Sequence, residues 1–264
     1  MKKVSIISAV DGLPVRESGG WITRKYHYLR RYLKIFSVGM KGKWGGNLTY
    51  IDLFAGPGRC LIRDSQIEIE GSGLISLEHD FRKFIFMEKD PDFLDSLKKR
   101  CQGSPKLSQI EFIEGDCNLT IDRIQPDGLA VAFIDPTGID FHFEPLKKLC
   151  ASRKVDLLMT VMLGMDIKRN LERYRRKGAG SDLDKFLGGS VPWNTIKTGR
   201  DVMDIYKERL KALGYQTVEF KDIEVKNDKN VPMYFLMFAS KDPKGLAFWK
   251  KISAVDETGQ RELF

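Results

Sequence analysis

Asp52, Glu88, Asp116 and Asp135 occur in that order at the carboxyl ends of apolar, β-prone runs, and the bend Ala55-Gly56-Pro57-Gly58 follows the first of them. Ligands of open α/β sheets bind at such strand ends. A carboxylate at Glu88 can accept both ribose hydroxyls of a nucleoside. One at Asp116 can accept from an adenine amine while the N–H of Cys117 meets a ring nitrogen. Gly56 and Gly58 strip side chains from the bend, so main-chain N–H groups and bare backbone can touch a bound molecule. The combination points to S-adenosylmethionine (SAM). The expected cofactor contacts are Asp52, Phe54, Ala55, Gly56, Gly58, Glu88, Lys89, Asp116, Cys117, Asn118 and Asp135. Asp135 and the carbonyl of Pro136 are the candidate catalytic pair. They could hold an amino nitrogen with its lone pair aimed at a methyl group, the carboxylate steadying the positive charge that develops.

Strands have to deliver these groups. The runs 48–54, 83–88, 110–116, 129–135 and 155–163 read as strands, the last almost fully apolar, as in parallel strands covered on both faces. Between them Ser72 is a candidate N-cap for a helix reaching about Asp80. Asp90-Pro91 opens a helix that ends on Lys98-Lys99-Arg100, each end bearing the sign the helix dipole favours. A helix follows at 143–152, then one at 200–213, strands at 215–220 (or to 225) and 232–240, and a closing helix from Pro243. The short loop 226–230 predicts an antiparallel hairpin at the sheet edge. The expected fold class is α/β and Rossmann-like: a mainly parallel seven-stranded sheet with one antiparallel edge strand and helices on both faces, in a single domain over 1–264. Residues 1–47 read as an N-terminal helical arm. Within it, 21–37 place Ile22, Tyr26, Leu29, Leu33 and Phe36 at helical spacing, with Arg24, Lys25, Arg30, Arg31 and Lys34 on a basic outer face. The stretch 164–200 reads as a candidate substrate-facing insertion.

Net charge is +8, from 44 Lys and Arg against 36 Asp and Glu, a balance compatible with RNA or DNA as partner. Arg24, Arg30 and Arg31, with Lys168, Arg169, Arg173, Arg175 and Arg176, are candidates to guide a phosphate backbone. Thr137 and Trp193 are candidates to touch the acceptor itself. No apolar run approaches the roughly 18 residues a bilayer requires, so no membrane association is expected and a cytoplasmic location is. Cys60, Cys101, Cys117 and Cys150 are scattered without C-x-x-C, and His27, His79 and His142 are not spaced as ligands, so no metal is expected. Leu61 stands where a nicotinamide dehydrogenase needs the third glycine of G-x-G-x-x-G, and no P-loop motif occurs.

Ile51-Asp-Leu-Phe-Ala-Gly-Pro-Gly58, Gly71-Ser-Gly-Leu74, Phe86-Met-Glu-Lys-Asp90 and Asp135-Pro-Thr-Gly138 resemble the class I SAM-dependent methyltransferases. More narrowly, Leu29-Arg-Arg-Tyr-Leu33 ahead of the glycine bend, and Phe238-Ala-Ser-Lys241 ahead of a helix with Gly245 and Trp249, resemble the three-Cys-motif partner proteins (TcmP) over roughly 20–255. That resemblance implies a SAM-dependent methyltransferase acting on a nucleobase amino group in RNA or DNA. The alternative it implies is a SAM-binding, catalytically silent partner subunit of a three-Cys-motif protein. The three cysteines of the name belong to the partner, so the cysteines here inherit no metal role. Amino-methylating enzymes of nucleic acids often carry Asp/Asn-Pro-Pro-aromatic after the fourth strand. Here Thr137 and Gly138 replace the second Pro and the aromatic, nearer the Asp-Pro-aromatic-Gly of tRNA guanine-N2 dimethyltransferases. A flipped base would then need Phe141, Phe143 or Trp193 as its platform.

Overall fold

Successive side chains of a strand face opposite sides, and here that alternation separates two kinds of core. The computed structural model describes residues 6–151, 154–189, 191–215, 223–226 and 232–255. Tyr50, Phe84, Phe86, Val131 and Phe133 pack into an aromatic core on one side of the sheet. Their neighbours Ile51, Ile85, Met87, Ala132 and Ile134 pack into an aliphatic core on the other.

The described residues open with β1 (Ile6–Ile7), β2 (Pro14–Ser18) and α1 (Ile22–Lys41). Then come β3 (Leu48–Asp52), β4 (Arg59–Ile62), β5 (Glu68–Glu70), α2 (Ser72–Ser76), β6 (Lys83–Glu88) and α3 (Pro91–Cys101). β7 (Ile110–Glu114), α4 (Cys117–Thr120), β8 (Leu129–Ile134), α5 (Phe143–Cys150) and β9 (Val155–Val161) follow. The rest is α6 (Leu163–Lys177), α7 (Asp182–Leu187), α8 (Gly199–Ala212), β10 (Ile223–Lys226), β11 (Pro232–Ala239) and α9 (Pro243–Ser253).

The main sheet runs β10-β11-β9-β8-β3-β6-β7. β3 pairs parallel with β6 on one side and β8 on the other, and β7 and β9 extend each wing in parallel. The chain thus leaves β3 toward one edge and returns at β8 on the other side. A crevice opens at the carboxyl ends where the two directions part. The sheet is mixed and mostly parallel. Its reversed strand, expected at the edge, lies one strand in: β11 runs antiparallel to both β9 and β10, because the hairpin docks through its second strand.

Other expectations need correction. The 1–47 arm is not purely helical: β1 and β2 join β4 and β5 in a second sheet of order β1-β2-β4-β5. Asp116 does not end the third strand but caps α4, its carboxylate accepting from the Asn118 N–H at 2.9 Å. Ser72 is not an N-cap; Gly71 holds that position. In 164–200, Ile167, Tyr174, Leu183, Phe186 and Ile196 enter the aliphatic core, so packing occupies much of that stretch. The strand expected at 215–220 and the loop at 226–230 fall mostly outside the described residues.

α1 buries Ile22, Lys25, Tyr26, Leu29, Tyr32, Leu33, Phe36 and Met40, the spacing of one helix face. Tyr32 packs on Phe238 at 4.8 Å and donates to Asp156 Oδ2 at 2.6 Å, which fixes the helix against the sheet. Burial pushes the Asp156 carboxyl up to about 6, against the pull of its hydrogen bonds from Ser240 and Tyr32.

Candidate functional site

Two cavities meet at the carboxyl ends of β3, β6 and β8, sharing Arg16, Phe54 and Thr137. The first, of about 220 Å³, is lined by Glu88, Lys89, Gly115, Asp116, Cys117, Asn118, Asp140 and His142 as well. The second, of about 180 Å³, takes in Ala55, Gly56, Gly58, Lys25, Tyr26, Asp135, Pro136, Met162 and Tyr234.

The first cavity is built from strand ends. Glu88, the last residue of β6, is nearly buried; its Oε2 accepts from the Gly56 N–H at 2.9 Å, and its Oε1 from Lys89 and Asp90 N–H at 2.9 and 3.0 Å. These bonds hold the glycine bend to the neighbouring strand, while each oxygen retains acceptor capacity. Asn118 does not offer its amide to the cavity. Its Nδ2 donates to Asp140 O at 2.7 Å and its Oδ1 accepts from the His142 N–H at 2.8 Å, so it pins the loop beyond β8. The Cys117 thiol is pushed up to about 12 by burial first and by Asp116 and Asp140 next, so it stays protonated.

The two glycines of the bend have different duties. Gly56 has φ +62° and a Cβ there would meet nothing within 4 Å, so it faces open cavity. Gly58 has φ +91°, and its Cβ would strike Leu97 Cδ1 at 2.9 Å; it allows α3 to pack close instead. Arg100 reinforces that packing. Its nearly buried guanidinium donates to Pro57 O at 2.6 Å and Pro14 O at 2.7 Å, and grips Asp11 with two 2.8 Å bonds. Read from sequence as a helix-ending charge, Arg100 ties the glycine bend to the small sheet.

Asp52 lines neither cavity. It is fully buried, accepting from Tyr50 Oη at 3.1 Å and the Phe54 N–H at 3.3 Å. Burial pushes its carboxyl up to about 7 despite hydrogen bonds from Ser72, Phe54 and Tyr50. Its place is behind the bend.

The second cavity is assembled from distant segments. Asp135 Oδ2 holds the Lys25 ammonium of α1, and Oδ1 accepts from the Thr160 hydroxyl of β9. Lys25 also lies 5.3 Å from the Tyr26 ring centre and 5.7 Å from that of Tyr234. The side chains of Lys25 and Asp135 are only 9% and 16% exposed, so the pair is shielded from screening. Patterning placed Lys25 on an outer basic face. The signal missed was its position one helical turn before Leu29 and two before Tyr32, on the buried stripe. Arg16, Tyr234 and Met162 were likewise unforeseen.

The expected substrate contacts divide. Thr137 lines both cavities and is exposed. Arg24, Arg30, Arg31 and Trp193 are not among the residues lining either. Arg30 is engaged with Glu70 at 3.2 Å and with Glu78. Trp193 packs against the aliphatic core. On α6, Arg175 donates to Glu172 at 2.6 Å, and Arg169, Arg173 and Arg176 are exposed; the Lys168 side chain lies outside what is described. Among the described residues no helix is long and apolar enough to cross a membrane, and no cluster of His, Cys, Asp or Glu is arranged to hold a metal.

No family model matches the chain, and no curated protein matches it. Solved structures show remote likeness only. A Listeria monocytogenes protein assigned as an S-adenosylmethionine-dependent methyltransferase is 14% identical over 83% of this chain and 97% of its own, with a TM-score of 0.49. A Streptococcus mutans protein assigned as a methyltransferase and solved in complex with SAH is also 14% identical, with 83% and 97% covered and a TM-score of 0.44. The fibrillarin pre-rRNA processing protein of Methanococcus jannaschii is 15% identical over 74% and 66%, with a TM-score of 0.41. At these values the fold rests on this chain's own strand order: an α/β fold with a crevice at the carboxyl ends of β3 and β8.

Proposed function

We propose that the protein is a SAM-dependent methyltransferase. The observation that carries this is the pairing of Glu88 and Asp116 around one cavity with the open Cβ position of Gly56 at its junction with the next. Glu88 would take the ribose hydroxyls, the free oxygen of Asp116 an adenine amine, and the bare backbone at Gly56 the chain leading to the reactive sulfur. The bound cofactor supplies an electrophilic methyl group. The residues of the protein bind and orient: Asp135, Pro136 and Lys25 face the place where an acceptor would meet that methyl, and Tyr26, Tyr234, Phe54 and Met162 wall it from water.

A nucleobase amino group is the finer reading. It is supported by Asp135 and Pro136 lining the cavity and by the net charge of +8, and it requires Lys25 to release Asp135. The silent-partner reading is favoured by one observation, that Lys25 already fills the amine position. Purified protein incubated with SAM carrying a labelled methyl, and offered bulk tRNA, rRNA or DNA, separates these readings. Cofactor binding with transfer supports the enzyme on nucleic acid; binding without transfer to any acceptor supports the partner subunit.

A further inference from the structure

We propose that Lys25 sets the acceptor class of this site, and that the acceptor is an oxygen nucleophile that bears or readily acquires negative charge, such as a carboxylate or an acidic hydroxyl. The proposal rests on the SAM-dependent methyl transfer proposed above and replaces the amine with an oxygen.

Both oxygens of Asp135 are engaged, one by Lys25 and one by Thr160. What the cavity presents beside Pro136 is therefore an ammonium group rather than a bare carboxylate. An ammonium has three N–H donors and no acceptor, and one of the three goes to Asp135. An amino acceptor would bring donors against donors. An anionic oxygen would complete the ammonium's hydrogen bonds with charge-assisted ones. Arg16 lines both cavities and brings a second basic residue to the same junction.

Lys25 is held in place by its surroundings. It belongs to the buried stripe of α1, and the Tyr234 hydroxyl donates to Trp21 O at 3.1 Å, fastening the first turn of that helix to β11. Displacing the ammonium would also leave it nearly buried without its partner, a large cost. The aromatic walls from Trp21, Phe54, Tyr26 and Tyr234 suit a small planar acid.

The step balances without a further reactant. A lone pair on the acceptor oxygen forms the O–C bond as the C–S bond breaks, and the bonding pair stays on sulfur. SAM leaves as neutral S-adenosylhomocysteine (SAH). A carboxylate has no proton to lose; an acidic hydroxyl releases one to solvent.

Sinefungin, which carries an ammonium group where SAM carries its methyl, reports on this position without knowledge of the acceptor. Calorimetry on the full chain compares it with SAH. Wild-type protein is expected to bind sinefungin no more tightly than SAH. Lys25→Met bares Asp135 and is expected to favour sinefungin over SAH by about tenfold, the scale of one hydrogen bond to a charged group. Lys25→Arg keeps the wild-type ranking. Wild-type protein that prefers sinefungin by tenfold overturns the proposal and returns the site to amines, and that comparison needs no variant to fold. If sinefungin is preferred while SAH still binds, only the acceptor class fails. If SAH itself does not bind, the cofactor reading fails and this proposal with it.

Discussion

The two cavities sit side by side yet are built differently. In the first, Glu88 and Asp116 each lie within a few residues of a strand end, and their partners are mostly neighbouring backbone N–H groups, the Gly56 N–H at the border of the second cavity among them. In the second, the central contact joins Lys25 on α1 to Asp135 after β8, with Thr160 of β9 and Tyr234 of β11 completing it. A cofactor common to many proteins can be met by local strand–turn–helix geometry. An acceptor particular to one protein is met by side chains that only the tertiary fold brings together.

That contrast can be broken by substitution, and the largest effect belongs at the bend. Gly56→Val puts a branched side chain into the open junction at φ +62° and is expected to abolish SAH binding in calorimetry, with the fold retained by circular dichroism. Asp135→Ala strands the Lys25 ammonium, which is 9% exposed. It should cost about 3 kcal/mol of stability in denaturant unfolding while leaving SAH affinity in the folded protein little changed. Equal damage to SAH binding would show the two cavities to be one functional unit. Glu88→Ala should do the reverse, weakening SAH by about 1.5–3 kcal/mol, the scale of hydrogen bonds to a charged group.

A smaller effect sharpens the picture behind the bend. Burial raises the Asp52 carboxyl to about 7 from 3.8. A raised folded-state value means stability is greatest below the unfolded value and declines as pH rises toward 7, by at most about 1.4 kcal/mol per pH unit. Thermal melts of Asp52→Asn should lack that part of the decline; an unchanged slope would place the titration elsewhere. Smallest of all, Arg30→Ala should cost under about 1 kcal/mol, since its partners Glu70 and Glu78 are half exposed. If Arg30→Ala instead abolished salt-dependent RNA or DNA binding, α1 would have a nucleic-acid role that its ion pairs obscure.

What was readable in the sequence follows the same division. Strand periodicity and turn chemistry placed β3, β6 and β8, and with them Glu88 and Asp116 at one cavity and Gly56 at its neighbour, because those signals act over a few residues. The small sheet escaped, since β4 and β5 span only 4 and 3 residues and β4 gains its other partner from β2, far earlier in the chain. Lys25 escaped because a lysine on a helix ordinarily faces water; only the carboxylate across the crevice makes its burial tolerable. Asp52 was assigned a ligand because it precedes the bend, whereas its side chain turns toward Tyr50 in the aromatic core.

The central claim is that the crevice at β3 and β8 binds SAM through Glu88, Asp116 and the Gly56 backbone. Titration of SAH into the wild-type protein and Gly56→Val in parallel tests it most directly. Saturable one-to-one binding to the wild type, lost in the folded variant, is the result expected. No saturable binding to folded wild-type protein, or equal binding by both, would contradict it.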